Sequence, residues 1–115
     1  MKPHACDPAL ELTVEEAAQG LRVPGYWRLV DCREPDEHAL CRIAGAELRP
    51  LSHRDEWFPD CFPALDERIL VYCHHGLRSL RTVRFLQAHG YARARSLHGG
   101  IDAWSRQTNP GVPRY

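Results

Sequence analysis

Short apolar runs alternate with helix-patterned segments along the chain. Such alternation predicts a parallel sheet covered by helices on both faces. The clearest run is Ile69-Leu70-Val71-Tyr72, which is β-branched, aromatic and continuously apolar, as a strand buried on both faces requires. Arg28-Leu29-Val30-Asp31-Cys32 and Arg95-Ser96-Leu97 read as two further strands, and Ala46-Glu47-Leu48 as a brief fourth that ends near Pro50.

Between the strands the spacing turns helical. Thr13-Val14-Glu15-Glu16 fits a capping box, in which the hydroxyl and the carboxylate satisfy opposite free amides. A helix therefore starts after Thr13, with Gly20 as its stop. Glu34 to Leu40 reads as a short helix with Pro35 in its first turn, and Ser52 as the cap of a segment running towards Phe58. From Ser79 to His89, Leu80, Thr82, Val83, Phe85 and Leu86 share a buried side, with Arg81, Arg84 and Ala88 opposite; Gly90 ends that helix. A last helix is expected from about Ile101 to Arg106, after Gly99-Gly100. Pro59 to Asp66 and the tail Asn109-Pro110-Gly111-Val112-Pro113 carry no regular pattern.

A chain of 115 residues supports one domain over 1–115, its core at about 10–106. The N-terminal Met1-Lys2-Pro3-His4-Ala5-Cys6-Asp7 lacks an apolar core segment, and no later run reaches membrane-span length. The expectation is a soluble, cytoplasmic protein with no membrane partner. Five dispersed cysteines without a CxxC pair argue against both a disulfide framework and a structural zinc site. Cys6, Cys32, Cys41 and Cys61 read as small buried hydrophobes.

Net charge is zero, yet its distribution along the chain is uneven. Met1 to Glu67 holds 14 acidic and 7 basic residues, whereas Arg68 to Tyr115 holds 8 arginines and one acid, Asp102. No carboxylate falls between Arg68 and Ile101. A cationic half suits a small anionic substrate. Nucleic acid is disfavoured, because the arginines lack interleaved stacking aromatics and a binding motif.

The chemistry concentrates in Val71-Tyr72-Cys73-His74-His75-Gly76-Leu77-Arg78-Ser79. Cys73 stands where a central strand ends and a helix begins, the ligand-binding edge of open α/β sheets. Helix starts offer free amides and positive potential, which favour an anion and lower a thiol's pKa; His74, His75 and Arg78 are expected to act the same way. Gly76 lets the loop curl so that several amides converge on one point. A persulfide on Cys73 would be an anion solvated by those amides. The role requires the sulfur to face both the amides and an opening to solvent.

Here the sequence resembles the rhodanese family. The Cys-x-x-Gly-x-x-Ser loop is matched by Cys73, Gly76 and Ser79, the Asp-x-Arg segment by Asp31 and Arg33, and the Gly-Gly-x-x-x-Trp element by Gly99, Gly100 and Trp104. The resemblance covers about Leu10 to Arg106. It implies a single doubly wound α/β domain with a five-stranded parallel sheet. It also implies a sulfurtransferase in which Cys73 takes sulfane sulfur from thiosulfate or a persulfide and passes it to cyanide or a thiol. Covalent catalysis of that kind splits one transfer into two. A sulfur-carrying protein is a further compatible partner, and no cofactor is implied.

His74, His75, Gly76, Leu77, Arg78 and Ser79 are assigned to substrate binding beside the catalytic Cys73. A metal on Cys73, His74 and His75 is disfavoured, since neighbours on a tight loop rarely converge tetrahedrally. Asp31 and Arg33 are read as a structural ion pair, Trp104 as core and His98 as structural. Cys41-Arg42-Ile43 departs from the family's Gly-His-Ile; Arg42 either replaces a structural histidine or adds charge near the site. Two rivals stand beside the transferase. A phosphatase or arsenate reductase needs Cys-x5-Arg, but only four residues separate Cys73 from Arg78. A non-catalytic binding module would not need the cysteine that this chain retains.

Overall fold

The structure, a computed structural model, describes residues 5–108. The tail read as irregular from Asn109 onwards lies outside the described residues. Five strands, β1 (Glu11–Leu12), β2 (Arg28–Asp31), β3 (Glu47–Leu48), β4 (Ile69–Tyr72) and β5 (Arg95–Leu97), form one sheet. Their order is β1-β5-β4-β2-β3, and every neighbouring pair is parallel. The helices are α1 (Val14–Leu21), α2 (Pro35–Leu40), α3 (Arg54–Trp57), α4 (Leu77–Ala88) and α5 (Gly100–Gln107). No described helix is long and apolar enough to cross a membrane.

The alternation of side chains along β4 builds both cores. Leu70 and Tyr72 face one side, where they pack with Val14 and Ala17 of α1 and Ile101 and Trp104 of α5. Ile69, Val71 and Cys73 face the other, with Trp57 of α3 and Val83 and Leu86 of α4. All four β4 residues are fully buried, each contributing about 1.5–3 kcal/mol of hydrophobic stabilisation when apolar. The doubly wound architecture follows from this two-sided burial.

Periodicity marks four strands and misses β1. With two residues, β1 is too short to show a period; it is held to β5 by the carbonyls of Leu10, just before it, and Leu12, which accept from Ser96 and His98. The capping box of α1 is present, with Glu16 N–H on Thr13 Oγ1 at 3.2 Å and Thr13 N–H on Glu16 Oε1 at 2.9 Å. Gly20 does not stop α1, which runs on to Leu21. A Cβ there would collide with the Trp27 indole, so packing is what calls for glycine. Ser52 caps no helix: it lies in a 3-10 turn (Leu51–His53) and its hydroxyl donates to Glu34. Helix α4 starts at Leu77, two residues before the expected Ser79, and Gly76 precedes it in the left-handed region with φ +104°. That advance places the Ser79 amide among the free donors of the first turn.

Candidate active site

Strand β2 leads outward to β3, while β4 leads the other way to β5. The carboxyl ends of β2 and β4 therefore form the topological switch point, where open α/β sheets bind ligands. Cys73 follows β4 directly. Its Sγ accepts the Gly76 N–H at 3.1 Å and the Ser79 N–H at 3.3 Å, with Ser79 Oγ 3.4 Å away. Ser79 Oγ is itself fixed by Ser96 Oγ at 2.7 Å and lies 3.2 Å from the Gly76 carbonyl. The curled amides do converge on the sulfur.

Helix α5 explains why the loop curls that way. The Ile101 N–H binds the Cys73 carbonyl at 2.8 Å, and the Asp102 N–H binds that of His74 at 3.1 Å. With the carbonyls drawn towards α5, the amides of the following residues are left to face Sγ. The approach depends on Gly100, which has φ +64° and whose Cβ would strike the Cys73 and His74 carbonyl oxygens. The Gly-Gly-x-x-x-Trp element thus acts on the cysteine loop directly.

Cys73 is only 1% exposed, yet it lines an open pocket of about 330 Å³ with His74, His75, Leu77, Arg78 and Arg81. A larger cleft of about 490 Å³ lies at the amino ends of the strands, around Trp27, Arg28, Glu47 and Glu67. Its Arg28 is already tied to both glutamates, and no nucleophile lines it.

Hydrogen bonds hold Cys73 as a thiolate, its pKa lowered to about 5. The largest contribution is a hydrogen bond from the Cys32 thiol; the Ser79 hydroxyl, the Ser79 amide and the Gly76 amide follow, against the opposing effect of burial. In return, the bond to Cys73, together with burial, pushes the Cys32 thiol well up. Of the cations expected to act on the thiolate, Arg78 interacts with it coulombically, but hydrogen bonds are the larger cause. Both Arg78 N–H groups go to Glu37, at 2.6 and 2.9 Å. The stretch without acids becomes a site with one, because α2 brings Glu37 across.

The remaining predicted site residues divide. His74 and His75 stack with ring centroids 3.9 Å apart, and His75 Nδ1 stands 4.0 Å from Asp102. Leu77 is 66% exposed on the pocket rim. Arg81, read from periodicity as solvent-facing, also lines the pocket, with no ion-pair partner among the described residues. Asp31 and Arg33 form a fully buried pair, Nη2 to Oδ2 at 2.8 Å, behind the site. His98 binds Glu11 at 3.0 Å, Trp104 is buried in the core, and Arg42 is exposed and reaches back to the His38 carbonyl. Cys32, Glu37, Ser96 and Asp102 were missed. Only the register of β2 against β4 reveals Cys32, and no local motif flags it.

Fold and site together define a parallel α/β domain that presents a sulfur anion in a strand-to-helix amide loop. Residues 13–107 match the rhodanese-like domain family, and the chain belongs to that family. It is 30% identical over 114 residues to the rhodanese-like/PpiC domain-containing protein 12, chloroplastic, of Arabidopsis thaliana, covering 95% of this chain but 38% of the plant protein. It is 34% identical over 102 residues to a sulfurtransferase of Allochromatium vinosum, covering 89% of this chain and 94% of that protein. Among solved structures, the human single-domain sulfurtransferase TSTD1 superposes with a TM-score of 0.77 at 26% identity, over 86% of this chain and 97% of that one. The chain is thus a rhodanese-like domain with sulfurtransferases among its relatives, and it spans less than two fifths of the length of several of them.

Proposed function

We propose that this protein transfers sulfane sulfur through a persulfide on Cys73. The observation that carries the reading is the Sγ cradle, in which the Gly76 and Ser79 amides both donate to one sulfur. The Cys73 thiolate attacks the outer sulfur of thiosulfate or of a persulfide donor, and sulfite or a thiolate leaves with the bonding pair. An acceptor, cyanide or a thiol, then attacks the terminal sulfur and regenerates the Cys73 thiolate. The same donors that stabilise the thiolate solvate the persulfide anion, so neither state needs water inside the loop. The pocket's size suits a small anion, and Arg81 supplies positive charge at its rim. Five free cysteines suit the reducing cytoplasm.

Intact mass after thiosulfate treatment tests this. A gain of one sulfur atom that is absent in Cys73→Ser, with thiocyanate formed once cyanide is added, is the expected result. A sulfur gain without thiocyanate would mark a sulfur-binding module. Hydrolysis of p-nitrophenyl phosphate without any sulfur gain would overturn the assignment in favour of a phosphatase.

A further inference from the structure

The second cysteine at the switch point has a geometry that sulfur carriage alone does not call for. Asp31 pairs with Tyr72 across β2 and β4, and the Cys32 N–H donates to the Tyr72 carbonyl at 3.0 Å. Cys32 and Cys73 are therefore the next residues of two adjacent strands. Both side chains belong to the same buried cluster, on the α4 side of the sheet. Helix α4 sets the same neighbourhood from above. Cys73 Sγ accepts the Ser79 N–H from the first turn of that helix, whose Val83 and Leu86 share the buried cluster with both cysteines. Each thiol is 1% exposed, and each perturbs the other's titration, Cys73 downward and Cys32 upward. Neighbouring strands run about 4.8 Å apart, within the Cα separation of roughly 4.4–6.8 Å that a disulfide spans.

We propose that Cys32 is a resolving thiol, which discharges a Cys73 persulfide as hydrogen sulfide and closes a Cys32–Cys73 disulfide. The inference rests on the persulfide reading above. In the step, the Cys32 sulfur attacks Cys73 Sγ and a new S–S bond forms. The bond from Cys73 Sγ to the terminal sulfur breaks, and that sulfur leaves with the electron pair and takes up the Cys32 proton as hydrogen sulfide. The two protein sulfurs together lose two electrons and the sulfane sulfur gains two, so no outside oxidant is needed. The pocket opens on the loop side of Cys73 and Cys32 lies in the sheet interior, so leaving group and nucleophile occupy different flanks of the attacked sulfur. An external dithiol would restore the reduced pair. A persulfide that meets no acceptor is thereby emptied, and the domain is locked until reduced.

The experiment follows wild type, Cys32→Ala and Cys32→Ser after thiosulfate loading and removal of excess donor. Intact mass, free sulfide and a non-reducing peptide map are read over time. In wild type, the form heavier by one sulfur should give way to one lighter than the reduced protein by two hydrogens, with equivalent sulfide and a Cys32–Cys73 linkage. In both variants the persulfide should last about tenfold longer or more, without that linkage. Cys32→Ser keeps a hydroxyl donor against Cys73, so it stands in if the alanine variant folds poorly. Persulfides that form and persist equally in wild type and variants would overturn this proposal alone. No sulfur gain in any of the three proteins would overturn the carrier reading and the resolving role with it.

Discussion

At the residue scale, the electrostatics of Cys73 come from short hydrogen bonds, and the charged side chains nearby contribute less. A thiol titrating near 5 is almost wholly anionic at neutral pH, and its charge disappears only as the pH falls through about 5. Ultraviolet thiolate absorbance, lost in Cys73→Ser, should therefore be flat from neutrality down to about pH 6 and vanish below about 5. Ser79→Ala removes one hydroxyl donor and should raise that midpoint by about one unit or less, since two amides and Cys32 remain. An ordinary thiol titration in the wild type would sink the electrostatic account. Arg81 and Arg78 separate by another readout. Arg81→Ala should raise KM for thiosulfate several-fold at low salt with kcat little changed, and the difference should shrink as salt is added. Arg78→Ala instead strands Glu37 and should lower stability by about 1 kcal/mol in a denaturant titration.

At the scale of elements, the loop takes its shape from the start of α5, and Gly100 is where that dependence can be tested. Gly100→Ala combines a left-handed backbone with contact against two carbonyl oxygens that cannot withdraw. It should cost about 2 kcal/mol or more, seen as a lower urea midpoint, and persulfide loading should fall because the Ile101 and Asp102 amides retreat. Loading retained at wild-type level would show that the loop holds its curl unaided. The same elements show what the bare sequence discloses. The run 69–72 and the Thr13 box were legible because local chemistry alone dictates them. Gly20 and Ser52 misled, because a glycine within a helix and a serine near one have tertiary uses that no local pattern displays. The cysteine loop was legible as a motif, but the hand that α5 lends it was not, since that contact joins residues far apart in sequence.

At the scale of the whole molecule, the uneven charge along the chain disappears on folding. Glutamates of the acidic half reach the basic half, Glu37 to Arg78 and Glu11 to His98, because parallel crossovers interleave the two halves. A linear count of acids and bases therefore overstated the positive field at the site. The Asp31 carboxylate anchors a second network behind the loop, accepting from Arg33 Nε and Nη2, His38 and Tyr72. Arg33 and Asp31 are wholly buried, so Arg33→Met leaves a carboxylate without its main partner. That variant should unfold about 3–5 kcal/mol more easily, measured by thermal or urea denaturation. A loss below about 1 kcal/mol would mean that His38 and Tyr72 suffice.

Strand β4 has a consequence for how such a molecule fails. Odd and even positions of one four-residue segment feed opposite helical layers, and the reactive sulfur is the next atom group along. Peeling away either layer strips the same ribbon of its cover, so no partly melted form keeps a working cradle. The capacity to hold sulfur there should therefore be lost together with the fold, in one cooperative step.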